Sequence, residues 1–275
     1  MPIPKIIHQM WLDADPNNAD STEIPKKYNR YVATIKEKNP DFKYVFWNYN
    51  KCLTLFDEPD LEKYKDFWLG DDKKNIERCD FARYLIMYKY GGIYIDLDFI
   101  GVKNLEPLLD RDVLLVFEAA QHSQKYDGAK RRLFNGFFGS EPKNDFWLKW
   151  MDYVVEKYDK KTWVHKNTGP SRFGIFYDSY PEYFNDDWFI DTCNIMPFSH
   201  YKDDVYYADD CDSDSDIYTY TTWIDGTAYN LTLKNQFEHF GNILRKTNKK
   251  YKEKIAQHYH FILCIILIFI LAIYI

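Results

Sequence analysis

The stretch Glu77–Ile100 reads ERCDFARYLIMYKYGGIYIDLDFI and changes its period halfway along. Its first half has helical spacing. Cys79, Ala82, Leu85, Ile86 and Lys89 share one face of a helix predicted over Asn75–Tyr90. Gly91-Gly92 caps that helix, and Ile93–Asp98 reads as a strand. Residues two apart in an extended strand point to the same side. Asp96 and Asp98 can therefore reach one divalent cation, while Ile93, Ile95 and Leu97 anchor the opposite face. Oxygen ligands suit Mg²⁺ or Mn²⁺ rather than zinc. The pattern predicts a hard-cation site at the carboxyl end of a strand, where open α/β sheets bind ligands. The helix places Asp80 and Arg83 at i, i+3 on one face, with Arg78 near its start. A D-x-D alone is a weak signal, and the chain repeats it at Asp210, Asp212 and Asp214. The preceding helix, Gly-Gly turn and apolar strand single out Asp96 and Asp98.

Outward from this block, strands alternate with helices. Lys5–Trp11 and Phe42–Trp47 read as strands on either side of a helix from Ile24-Pro25 to Lys38, which Asn39-Pro40 stops. Val113–Glu118 (VLLVFE) is an apolar run of buried-strand length, and Arg132–Gly139 reads as a further strand. Asn144–Tyr158 and the segment from Gly169-Pro170 to Tyr180 read as helices, and Trp188–Met196 as one or two short strands. The alternation predicts an α/β domain with a largely parallel central sheet. Residues 203–216 hold seven Asp, but a calcium loop counted from Asp210 would need Gly at Ser215 and Glu at Thr221. A solvated acidic loop is the reading there.

The chain has 275 residues, 46% of them apolar, enough for a real core. A net charge of -6 argues against nucleic acid as a partner, because phosphate binding needs a basic face. Cys52, Cys79, Cys193, Cys211 and Cys264 form no C-x-x-C pair, so reduced thiols are the simpler reading. Phe261–Ile275 (FILCIILIFILAIYI) is uncharged and follows six basic residues between Arg245 and Lys254. That predicts a globular domain over residues 1–245. Residues 246–275 then form a basic juxtamembrane segment and a C-terminal membrane anchor, with the domain on the cytosolic side. Asn230-Leu231-Thr232 is a glycosylation sequon, usable only if the domain faces a lumen.

IPKIIHQMW near the start, DFARYLIMYKYGGIYIDLD, and NGFFGS followed by TGPSRFG occur in this order. Together they resemble the D-x-D glycosyltransferases of the Och1 and mannosyl-phosphorylinositol-ceramide synthase type, family 32, over residues 3–175. The large clostridial glucosylating toxins share the core pattern more distantly. The resemblance implies a GT-A fold, a Rossmann-like sheet across which a nucleotide-sugar donor binds. It also implies a retaining hexosyl transfer that needs Mn²⁺ or Mg²⁺.

Carried onto this chain, the resemblance makes Asp98 a metal ligand, and Asp96 a contact to ribose and sugar that reaches the metal through water. Asp80 would bond donor-sugar hydroxyls, and Arg83 the sugar or a phosphate. Trp11 would stack on the base. Tyr94 and Arg78 would lie near the nucleotide, and Asn135 and Gly136 would line the sugar or acceptor side. The family's late Ser-Trp element has its nearest counterpart in Thr222-Trp223, where a hydroxyl is kept, and His200 is either a second candidate or a loop histidine. GDP-mannose, UDP-glucose, UDP-galactose and UDP-N-acetylglucosamine all suit such a site. The acceptor is a glycan, a lipid or a protein hydroxyl. A catalytically dead binding protein of the same fold is the third class, against which the intact Asp80, Arg83, Asp96 and Asp98 argue. No G-x-G-x-x-G follows the first strand and no G-x-x-x-x-G-K occurs, so dinucleotide and P-loop chemistry are set aside.

Overall fold

The computed structural model describes residues 2–13, 16–120, 123–124, 132–196, 198–201, 204–207, 211 and 216–221. One compact unit, Met1–Asp209 with Asp216–Tyr229, holds every residue whose structure is described below except Cys211. Cys211 falls in a second unit, Asp210–Ser215 with Asn230–Ile275. The expected C-terminal anchor, the 245/246 boundary, the sequon, Thr222 and Trp223 lie outside the described residues. No helix among the described residues is long and apolar enough to cross a membrane.

The central sheet has six strands. β1 (Ile6–Met10), β2 (Lys43–Trp47) and β3 (Gly92–Ile95) come first in the chain. A short β4 (Phe99–Gly101) lies outside this sheet, and β5 (Val113–Val116), β6 (Phe137–Ser140) and β7 (Phe189–Ile190) complete it. The spatial order is β2-β1-β3-β6-β5-β7. β1 runs parallel to β2 and β3, and β5 parallel to β7. β6 is antiparallel to both its neighbours, so the sheet is mixed rather than largely parallel. The reason is the path after β5. Phe117 bridges Leu133 in antiparallel fashion, so the chain returns as the second arm of a long hairpin. A parallel neighbour would need a crossover, usually a helix. Two antiparallel two-stranded pairs lie apart from this sheet. β8 (Phe198–Tyr201) pairs with β9 (Asp204–Tyr207), which makes part of the expected acidic loop a strand, and β10 (Thr219–Thr221) pairs with β4.

β3 is buried on both faces, as a central strand requires. Ile93 and Ile95 join Ile7, Leu114 and Val116 on one side, and Tyr94 joins Leu85, Phe138 and Trp147 on the other. The helices that cover the sheet are α1 (Asn29–Lys38), α2 (Asn75–Tyr90), α3 (Asp145–Lys157) and α4 (Pro170–Ser179). α2 differs from its expected single apolar face: every residue from Asp80 to Tyr88 is buried. A helix apolar around its girth belongs inside. Here α3 and α4 enclose it with aromatic rings, Tyr84 stacking on Trp147 at 5.9 Å and meeting Trp150 edge-on at 5.4 Å.

The Gly-Gly turn joins α2 to β3 at left-handed dihedrals, Gly91 at φ 61° and Gly92 at φ 90°. A Cβ on Gly91 would come within 2.6 Å of the Ser140 carbonyl oxygen, and one on Gly92 within 2.6 Å of the Ile6 carbonyl oxygen. Beside the turn, His8 is 1% exposed. The Trp47 indole N–H donates to His8 Nδ1 at 3.0 Å, so the His8 proton sits on Nε2 and donates to the Gly91 carbonyl at 2.9 Å. Burial pushes the His8 pKa down to about 3 and keeps the ring neutral.

Cys52 and Cys79 are free thiols, but Cys193 and Cys211 are each disulfide-bonded. The all-thiol expectation therefore holds only in part. Spacing along the chain does not reveal which sulfurs the fold brings together.

Candidate active site

β3 ends at Ile95, and Asp96–Leu97–Asp98 forms a turn into β4 rather than extending the strand. The last ladder bond runs from the Asp96 amide to the Gly136 carbonyl at 2.8 Å. The Asp96 carbonyl is then taken by a side chain. Gln9 Nε2 donates to it at 3.1 Å, and the Tyr44 hydroxyl donates to Gln9 Oε1 at 2.8 Å. Leu97 leaves the company of Ile93 and Ile95 and packs with Tyr28, Tyr31 and Val32. The alternation rule that put both carboxylates on one strand face is therefore corrected. A turn presents them, still at the carboxyl end of β3.

Beneath the turn lies a buried polar network. Arg83, 7% exposed, is its hub. Its Nη2 sits 3.2 Å from Asp96 Oδ1, and its Nη1 donates to the Asn135 carbonyl at 2.7 Å and lies 3.6 Å from Asp80 Oδ1. The guanidinium also covers the Tyr94 ring, 4.9 Å from its centroid. The Tyr94 hydroxyl donates to Asp96 Oδ1 at 2.9 Å. Asp80 accepts from Asn135 Nδ2 at 2.9 Å and from the Thr168 hydroxyl at 2.8 Å. Gly136 stands directly under Asp96. A Cβ there would lie 2.5 Å from Asp96 Oδ2 and from the Phe134 ring. Asp98 accepts from the Thr221 hydroxyl at 3.2 Å, which ties the turn to β10.

These contacts set the electrostatics. Burial pushes the Asp80 pKa up to about 6, against the pull of Arg83 and the Thr168 hydroxyl. Asp98 rises to about 7 from burial first and the neighbouring Asp96 charge second. Asp96 is raised by its dry surroundings too, with Arg83 and the Tyr94 hydroxyl acting in opposition. Two carboxylates that disfavour each other's charge suit a divalent cation between them. All the donor atoms here are oxygens, as a hard cation prefers. No cluster of three metal-binding His, Cys, Asp or Glu side chains occurs among the described residues.

The structure thus joins Asp80, Arg83, Tyr94, Asp96, Asn135 and Gly136, and sets Asp98 beside them on the same turn. Trp11, part-buried, packs against Tyr28 at 5.8 Å, with Lys27 Nζ 5.6 Å from its ring. Arg78 goes elsewhere. Its guanidinium donates to the carbonyls of Trp68, Gly70 and Lys73 and knots the loop ahead of α2. Thr222 and Trp223 lie outside the described residues; His200 lies on β8, its side chain likewise outside them. Sequence reasoning missed four contributors. Thr221 is one position from the expected Thr222. Thr168 opens the TGPSRFG piece, and Gln9 belongs to IPKIIHQMW. Tyr44 carried no signal of its own.

Residues 25–115 match the family described as glycosyltransferase sugar-binding region containing DXD motif. The chain is 39% identical over 111 residues to inositol phosphoceramide mannosyltransferase 3 of Schizosaccharomyces pombe, covering 39% of this chain and 27% of that protein. It is 28% identical over 222 residues to an uncharacterized glycosyltransferase of Acanthamoeba polyphaga mimivirus, covering 76% of this chain and 80% of the other. Among solved structures, the PaToxG glycosyltransferase is similar at 18% identity with a TM-score of 0.48, over 66% of this chain and 71% of that one. The chain thus spans only about a quarter of the length of the fission-yeast relative.

Proposed function

We propose that this chain, which carries a DXD-type glycosyltransferase sugar-binding region over residues 25–115, moves a hexosyl group from a nucleotide-sugar to a glycan or glycolipid. The observation that carries the reading is the Asp80–Arg83–Asp96 network closed beneath the Asp96–Asp98 turn. Buried charges of this kind are costly unless paired, and perturbed carboxylates mark functional sites. Mannose is the favoured sugar, because the fission-yeast relative is named a mannosyltransferase. A GT-A fold and a retaining course belong to the same reading.

Each residue has a role in it. Arg83 fixes the Asp96 carboxylate and adds positive charge where a leaving diphosphate would gain negative charge. Asp80 keeps lone pairs beyond those used by Asn135 and Thr168, and takes sugar hydroxyls. Gly136 leaves the room that Asp96 needs. Asp98 and Asp96 would hold Mn²⁺ or Mg²⁺, which supplies Lewis-acid stabilisation of the departing phosphate when bound. The acceptor hydroxyl attacks from the face the nucleotide leaves, and its proton passes to the leaving phosphate oxygen. Holding donor and acceptor together accounts for much of the remaining rate.

The apolar run Phe261–Ile275 after a basic segment supports membrane association, and with it a membrane-borne acceptor. The basic residues favour a cytosolic domain. The disulfide-bonded Cys193 and Cys211 favour an oxidising lumen instead. Glycosidase sensitivity at Asn230 in membranes separates the two orientations.

The test is a donor panel of GDP- and UDP-sugars assayed for nucleotide release, with Mn²⁺ and with EDTA. Release with one donor, abolished by EDTA and lowered 10²–10³-fold or more in Asp98→Ala, is the expected result. A panel with neither release nor any donor-dependent thermal shift overturns the reading.

A further inference from the structure

The chain as a whole is acidic, with 42 Asp and Glu against 36 Lys and Arg. One segment reverses this. From Lys157 to Arg172 the sequence is KYDKKTWVHKNTGPSR, with five cations and a single acid, Asp159. It forms the connection from α3 to α4, and its construction has two parts.

Its neck is pinned. Asn167, fully buried, accepts from the Asp159 amide at 3.0 Å and donates to Glu77 at 2.9 Å. Thr168 donates its hydroxyl to Asp80, while its carbonyl accepts from the Tyr84 hydroxyl at 2.8 Å. Asp159, the one acid, is exposed and bonds within its own loop, accepting from the Lys161 amide at 2.9 Å and the Thr162 hydroxyl at 3.3 Å. Arg132 Nη2 donates to His165 Nδ1 at 3.1 Å, and Arg132 Nη1 is 3.3 Å from Glu118 in a buried pair.

The tip is presented. Lys160, Lys161 and Lys166 are exposed and make no ion pair among the described residues. Trp163 stands among them, 47% exposed, against the His165 ring at 4.5 Å. Core formation does not call for an exposed indole held on a rigid, cationic loop. Lysines with a tryptophan are the composition that settles at an anionic lipid–water interface: the indole occupies the headgroup layer while the cations meet lipid phosphates.

We infer that the loop 159–166 docks the protein onto an anionic phospholipid surface and presents headgroup-borne acceptors to the Asp80 side of the active site. Its presentation role rests on the glycosyltransferase reading; its docking role does not. Each lysine near such a surface contributes roughly five-fold to the partition, and the contribution falls as salt shortens the screening length.

The experiment is hydrogen exchange on the full chain in three settings: phosphatidylcholine vesicles, phosphatidylcholine–phosphatidylinositol vesicles, and soluble inositol phosphate. Exchange across residues 159–168 is expected to slow only on the phosphatidylinositol vesicles, and to recover in high salt. Lys160→Gln with Lys161→Gln should weaken that protection roughly 25-fold, and Trp163→Ala should reduce it with the charge intact. Unchanged exchange on acidic vesicles overturns the inference. So does equal slowing on neutral vesicles, or equal slowing with soluble inositol phosphate, which would mark a pocket for a free anion. Sugar transfer assayed in parallel separates the two readings. Lipid-dependent protection with no transfer from any donor sinks the enzyme and keeps the docking. Transfer at an unchanged acceptor KM in the lysine double variant sinks the presentation role and keeps the enzyme.

Discussion

The two ends of β3 are both held by buried polar side chains, and they are held in opposite ways. Where the chain enters the strand, His8 holds the Gly91 carbonyl and Trp47 holds His8, both with neutral groups, and burial keeps the imidazole uncharged. Where it leaves, Arg83 grips the Asn135 carbonyl and the Asp96 carboxylate with full charges. Neutral hydrogen bonds cost little to bury when satisfied, so the entering end serves to fix backbone. Charges are expensive to bury, so a cluster of three is kept where it has something to do. The same strand thus carries a structural lock at one end and a chemical device at the other.

Cutting the hub of the charged end should have the largest effect. Arg83→Met leaves Asp80 and Asp96 without their counter-charge and should cost roughly 3–5 kcal/mol in urea unfolding. Arg83→Lys should not restore donor turnover, since a single ammonium cannot match a planar fork that reaches three acceptors. If Arg83→Met proves as stable as wild type, the distinction between the two ends fails. At the entering end, Gly92→Ala combines a positive φ with a carbonyl contact of 2.6 Å. It should cost roughly 2–4 kcal/mol, with kcat nearly unchanged in whatever protein folds. A selective loss of kcat there would mean that the lock also takes part in the chemistry.

Thr168→Val removes a hydroxyl that donates to the buried Asp80 carboxylate and should cost roughly 1.5–3 kcal/mol. Because that bond favours the ionised form, its loss should carry the Asp80 titration upward from about 6. The acid limb of kcat/KM then moves to higher pH, while the same substitution at Thr162 leaves it in place. The smallest effect at neutral pH belongs to His8→Gln, about 1 kcal/mol. Its signature lies in acid. Below about pH 6.5 the unfolded chain binds a proton that folded His8 refuses until about pH 3. Wild-type stability therefore falls as pH drops through that window, by about 1.4 kcal/mol per unit from this group. The variant should show a flatter acid slope. An equal slope in both proteins would mean that His8 is not the neutral partner of Gly91.

Much of this was legible in the residues. The span of α2, the Gly-Gly turn, the i, i+3 pairing of Asp80 with Arg83 and the helices after Asn144 and Gly169 all follow local rules that act over a few positions. The family resemblance, rather than any local rule, pointed to Asn135 and Gly136. Helical spacing misread α2 as one-faced, because burial on the remaining faces depends on aromatic residues of α3 and α4 far along the chain. Alternation carried the strand to Asp98, although a side-chain amide, Gln9, ends the ladder at Asp96. Arg78 carried the same signal as Arg83, yet its fork closes a loop.

The sequence by itself determined the long helices, the core strands before Val116, the Gly-Gly turn, and which carboxylates and arginine are available for chemistry. Periodicity, capping and glycine's left-handed freedom are properties of neighbours. Only the tertiary structure decided the direction of β6, the turn that presents Asp96 and Asp98, and the partners of each charged atom. Arg83 meets Asn135 across 52 positions and Asp98 meets Thr221 across 123. Contacts at such separations are selected by packing and by the cost of an unpaired buried charge, and no local pattern encodes either.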